Sequence, residues 1–278
     1  MKPNLKEIHR RIYPQISNLF GTEHTAYTPP LYVQELHPNL QRSIPPGIGT
    51  TNLIKWIPTA IYPQEIIPMP PMVNPRSKFQ IWLSGISKYF SPQGEAEYLV
   101  AHETTHVIQC AFLQDQFPDA SEEYFYHALN SIESEGLAEV IATLHCINQE
   151  EESIRKCGLA HIAFHERCYW VKSIKLPWSP LDIERSLNLT GADVEFLNFL
   201  RKYHSSQDYN YPDVDQEDVE LIEEHRIYCQ GFGSVIKRLS ASPPTTLPTL
   251  VREHHDVRWR NELQERIYLL GQLKKLIL

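Results

Sequence analysis

The chain has 278 residues, 42% hydrophobic and 22% charged, the proportions of a globular protein with a sizeable core. Its formal net charge of -8 argues against a non-specific nucleic-acid binder, and no run approaches the ~20 apolar residues of a membrane span. Five scattered cysteines without a C-x-x-C pair, and a start that lacks the apolar segment of a signal peptide, point to the cytoplasm, with signal-less export left open.

In chain order, Leu5, Ile8, Ile12, Ile16 and Leu19 recur at helical spacing, and Gly21 is placed to stop that helix. Between Thr28 and Pro75 prolines are dense, which predicts extended segments, turns and short edge strands rather than a long helix. The stretch "SKFQIWLSG" (Ser77–Gly85) alternates Phe79, Ile81 and Leu83 and reads as the clearest strand in the chain. Ser91 can cap a following helix, Pro92 suits its first position, and Glu95 and Glu97 favour its start. That helix is expected to reach about Gln114. Residues 119–148 read as one or two helices. The remainder is largely helical, with breaks at Leu176–Pro180, Ser205–Asp215 and Ser240–Pro248. The acidic run Asp213–His225 reads as a solvated loop entering a helix, and the end of the chain as an amphipathic helix that packs on the body or mediates oligomerisation.

The expected fold class is α+β, mostly α. A small N-terminal sheet would pack an edge strand on the helix that carries "HETTH", and a helical C-terminal part would follow. We expect residues 1–150 to form a catalytic core with metal-binding helices and residues 151–278 to complete a cleft, either as two parts or as one domain.

The motif His102-Glu103-Thr104-Thr105-His106 carries the chemistry. Histidines four apart leave one helix face a turn apart, where two imidazole nitrogens can bind one Zn²⁺ at about 2.0–2.1 Å each. In sites of this type the intervening glutamate does not ligate; its carboxylate sits beside the open coordination position, where it can move a proton. The apolar neighbours Leu99, Val100, Val107 and Ile108 make such a polar cluster costly to bury without a partner. A third ligand is needed. The arrangement that continues the motif with a glycine and a third histidine is excluded, because Gln109 and Phe112 occupy those positions. The arrangement that takes a glutamate from a later helix finds one in "SIESEGLAEV" (Ser131–Val140). Glu135 and Glu139 share a helix face there, so one can ligate while the other hydrogen-bonds a ligating histidine. Glu133 lies on another face, and the small Gly136 and Ala138 would let this helix approach the first closely.

Together, "HETTH" and "SEGLAEV" resemble the gluzincin metallopeptidases over roughly residues 77–145; relatives often carry Asn-Glu-Gly-x-Ala at the second motif, where this chain has Ser134. The resemblance implies one Zn²⁺ held by His102, His106 and Glu135, with Glu103 as general base and Glu139 as the acidic partner of a ligating histidine. It implies a hydrolase acting on a peptide or protein substrate. "YCQGFGSVIKRLSASPPTT" (Tyr228–Thr246) loosely resembles a segment of some bacterial members. An oxyanion donor is also required, and Tyr228, His225, His254 and His255 are the candidates. A second set, Cys157, His161, His165 and Cys168 on one helix, offers histidines four apart but no glutamate between them at the needed place. Cys110 reads as a small buried thiol. The competing functional class is a non-catalytic zinc-binding scaffold or interaction protein, which has no need of Glu103; a zinc hydrolase of non-peptide bonds is a third.

Overall fold

The structure is a computed structural model that describes residues 3–20, 32–33, 50–54, 57–62, 66, 74–116, 119, 121, 131–171, 176, 178–203, 211–241, 246 and 249–250. Helix α1 (Leu5–Phe20) buries Leu5, Ile8, Ile12 and Ile16, the stripe its sequence spacing defines, and lays them against the motif helix. The strands are short: β1 (Tyr32–Val33), β2 (Thr50–Ile54) and β3 (Ile57–Tyr62). β3 lies between the others, antiparallel to β2 with Thr50 opposite Ile61, and parallel to β1 with Tyr32 opposite Ile61.

The rest is helical. α2 spans Lys78–Ile86 and runs through a 3-10 turn, Ser87–Tyr89, towards α3 (Pro92–Gln116). Then come α4 (Ile132–Ile147), α5 (Glu152–Val171), α6 (Pro180–Ser186), α7 (Gly191–Arg201), α8 (Gln216–Glu224) and α9 (Arg226–Leu239). Ser179, Thr190 and Asp215 start α6, α7 and α8 with reciprocal capping boxes to Asp182, Asp193 and Asp218. Among the described residues no helix is long and apolar enough to cross a membrane. The terminal amphipathic segment, with His254 and His255, lies outside the described residues.

The α+β expectation is corrected. The described residues form a predominantly helical assembly, in which strand is limited to three segments of two, five and six residues. The segment expected to be the clearest strand, Ser77–Gly85, is instead helix α2 with Ser77 as its cap, so helix rather than strand precedes the motif helix there. The reason is burial. Phe79, Gln80, Ile81, Trp82, Leu83 and Ile86 are all enclosed, so burial extends round most of α2 and the alternation of Phe79, Ile81 and Leu83 does not mark a single buried face. Ser77 caps it by accepting the Gln80 N–H at 3.0 Å, and the Trp82 indole donates to the Leu200 carbonyl at 2.9 Å.

Two apolar clusters hold the helices together, and α4 belongs to both. Leu137, Ile141 and Ala142 face the cluster built with α1 and α3, whereas Val140 and Ile147 face the one built with α2, α5 and α9. Each fully buried large side chain contributes about 1.5–3 kcal/mol. The second cluster takes residues from both sides of position 150. α4 and α9 cross backbone to backbone. A Cβ on Gly136 would meet the Gly231 carbonyl carbon at 2.1 Å, and one on Gly231 would meet the Ile132 oxygen at 2.1 Å. Gly136 thus serves the approach of α4 to α9 rather than to α3, and the crossing brings Tyr228 over the motif.

Candidate metal centre

Helix α3 is buried on nearly every side from Ala96 to Cys110, with His102, Glu103, Thr104, Thr105 and His106 all enclosed. A polar motif in that position must find partners inside the protein. It finds them on α4. His102 Nε2 and His106 Nε2 are 3.0 Å apart, and the Glu135 Oε2 atom lies 3.2 Å from the first and 3.1 Å from the second. These three buried residues can hold a metal ion. Donor atoms spaced in this way are close enough for a single ion to reach all three. The side chain of Glu133, two residues before Glu135, is exposed.

Each histidine is oriented from behind. His102 Nδ1 stands 3.0 Å from Glu139 Oε1. The other oxygen of Glu139 accepts from the Tyr98 hydroxyl and stands 2.7 Å from His165 Nε2. His106 Nδ1 stands 2.9 Å from Gln109 Oε1, and the Ser134 hydroxyl donates to that same oxygen at 2.9 Å. A ring whose Nδ1–H is engaged in this way presents the Nε2 lone pair to the centre of the cluster.

The charges are strongly coupled. Burial works against the Glu135 carboxylate, but the neighbouring His106 and His102 overcome it and lower the group to about 2. Burial likewise opposes the charged form of Glu139, and His165 and His102 hold it well below the usual carboxylate range. Burial would lower His165; the Glu139 carboxylate outweighs it and raises the imidazole to about 10. Burial alone would lower His102, but Glu135 and Glu139 together outweigh it and raise the imidazole well above its ordinary value.

Glu103 is 4% exposed. The Tyr228 ring on α9 lies 6.1 Å from the His102 ring and 6.1 Å from the His225 ring. Burial first, then the Glu135, Glu139 and Glu103 carboxylates, raise the Tyr228 hydroxyl above its ordinary value, so it stays protonated as a hydrogen-bond donor. Cys110 is fully buried, and burial pushes its thiol up to about 12.

Sequence reasoning missed Tyr98, Gln109 and the use of Ser134. It also grouped His165 with Cys157, His161 and Cys168, whereas the structure divides that set. His165 joins Glu139, Cys168 hydrogen-bonds Cys229, and Cys157 and His161 meet Glu95. Helical spacing could have flagged Tyr98, which sits one turn before His102. Nothing in the sequence pointed to Gln109. No protein-family model, no curated protein and no solved structure matches this chain.

Proposed function

We propose that the protein is a zinc-dependent metallopeptidase of gluzincin type, with one Zn²⁺ held by His102, His106 and Glu135. The observation that carries this reading is the closure of three donor atoms to within 3.2 Å of one another, with the buried Glu103 following His102 in the motif helix. Two imidazoles and a carboxylate are a donor set of catalytic zinc sites, which keep a fourth position open. When bound, the ion supplies the Lewis acidity that polarises a scissile carbonyl and activates water.

The remaining steps belong to the chain. Glu103 takes a proton from the attacking water on its carboxylate and returns it to the leaving amine nitrogen. Glu139 fixes the ring of His102, and Gln109 with Ser134 fixes that of His106, so that both Nε2 atoms stay aimed at the centre. Tyr228 donates its hydroxyl proton in a hydrogen bond to the carbonyl oxygen as negative charge grows there. The bond cleaved is the amide of a peptide or protein.

The test is hydrolysis of a fluorogenic peptide mixture by the zinc-loaded full chain and by Glu103→Gln. The proposal expects wild-type cleavage that falls by about 10²–10⁴-fold in the variant, with metal content unchanged. A metal-loaded wild type that cleaves no peptide, or a variant that cleaves as well as wild type, overturns it.

A further inference from the structure

Seven residues before His102, α3 begins a second convergence. Glu95 sits in its first turn, and its Oε1 atom accepts from the Cys157 thiol at 3.1 Å and stands 2.9 Å from His161 Nε2. Cys157 and His161 are four apart on α5, so their side chains leave one face a turn apart. The three ligand atoms all lie within 4.8 Å of one another. Gly94 makes the approach of the two helices close, since a Cβ there would stand 2.4 Å from Cys157 Cβ. The His161 ring is clamped: Tyr98 stacks on it at 3.5 Å and 8°, and Phe90 meets it edge-on at 5.1 Å.

We propose that Glu95, Cys157 and His161 form a second metal-binding site, selective for a borderline or soft divalent cation such as Zn²⁺, Co²⁺ or Cd²⁺. Both donors on α5 aim at a single carboxylate oxygen, so one cation placed there is met by sulfur, nitrogen and oxygen together. That mixed set suits these ions and disfavours Mg²⁺ or Ca²⁺, which take oxygen ligands. Binding releases the Cys157 thiol proton to solvent, and the thiolate becomes the ligand. Cys157 itself is buried, but the Glu95 and His161 side chains keep 23% and 16% of their surface exposed, which gives the ion a way in. The ion would staple the start of α3 to α5. Its role is separate from hydrolysis, and the site does not depend on the reading of His102, His106 and Glu135.

The test is titration of the metal-free full chain with Co²⁺, followed by the thiolate-to-cobalt absorption in the near ultraviolet and by bound cobalt per chain. In wild type the thiolate band grows in with one equivalent of bound metal, and a further equivalent binds without adding to it. Cys157→Ser removes the band and one equivalent; Glu95→Gln weakens binding of the band-forming ion; Glu135→Ala removes the other equivalent and leaves the band. A wild type that never develops the band, or a folded Cys157→Ser protein that keeps it in full, overturns the proposal. Loss of the equivalent assigned to Glu135 is read separately, so failure of either site is told apart from failure of the other.

Discussion

Helix α3 contributes to two clusters of side chains that could hold a metal ion, one at its middle and one at its first turns, and they differ in what surrounds them. The middle cluster is the more deeply buried, its ligand side chains keeping 6–9% of their surface exposed, and its histidines are held from behind by Glu139, Gln109 and Ser134. It also has the buried Glu103 next to His102 in the chain, and the Tyr228 ring across the α4–α9 crossing. The first-turn cluster is half open, includes a thiol, and is walled by the rings of Phe90 and Tyr98. On the proposed reading, ligands alone therefore do not mark the reactive site. What separates chemistry from grip is a nearby group that can carry a proton and another that can receive growing negative charge. Tyr98 touches both regions, stacking on His161 while its hydroxyl bonds Glu139.

The comparison can be broken at several points. Tyr228→Phe should lower kcat for peptide cleavage by about 10²–10³-fold and leave the metal content of the middle site intact, because it removes a donor and no ligand. Steady-state kinetics beside elemental analysis checks this; an unchanged kcat removes Tyr228 from the account. Gly231→Ala should cost about 3 kcal/mol, visible as a lowered Tm, because its Cβ would land on the Ile132 oxygen and the Gly136 backbone. If the variant folds as stably as wild type, the close crossing is wrong. Glu139→Gln should weaken metal binding at the middle site by about 10–100-fold and spare the first-turn site, as followed by competition with a chromophoric chelator. Equal weakening at both sites would show that Glu139 acts through the fold rather than through His102.

The middle site was legible because both its elements announce themselves locally. The i,i+4 histidines need only a helix, and Glu135 needs only a second helix that faces it. Its supports were less legible. Glu139 shares a face with Glu135 and could be named, but the two other groups that grip it, Tyr98 and His165, come from different helices, and only the tertiary fold unites them. Ser134, which departs from the asparagine of the resembled motif, turns out to hold Gln109 behind His106. Gln109 stands where another arrangement would have a glycine, so it looked like an exclusion rather than a part.

Gly136 was expected to admit α3, and it admits α9 instead, because a small residue in a sequence shows that something comes close without showing what. α2 was misread because burial extends round most of it, so that Phe79, Ile81 and Leu83, which alternate in the sequence, are all enclosed in a helix. Glu95 could not be joined to Cys157 and His161 from the sequence, since 62 residues separate it from the first of them.

The central claim is that His102, His106 and Glu135 hold one metal ion together. The most direct measurement is elemental mass spectrometry of the purified full chain, wild type beside His106→Ala and Glu135→Ala, under non-chelating conditions. The account predicts that each substitution removes one metal ion per chain relative to wild type while the protein stays folded. Metal content unchanged by Glu135→Ala would contradict it and leave "HETTH" as a buried helix whose two histidines are satisfied by hydrogen bonds alone.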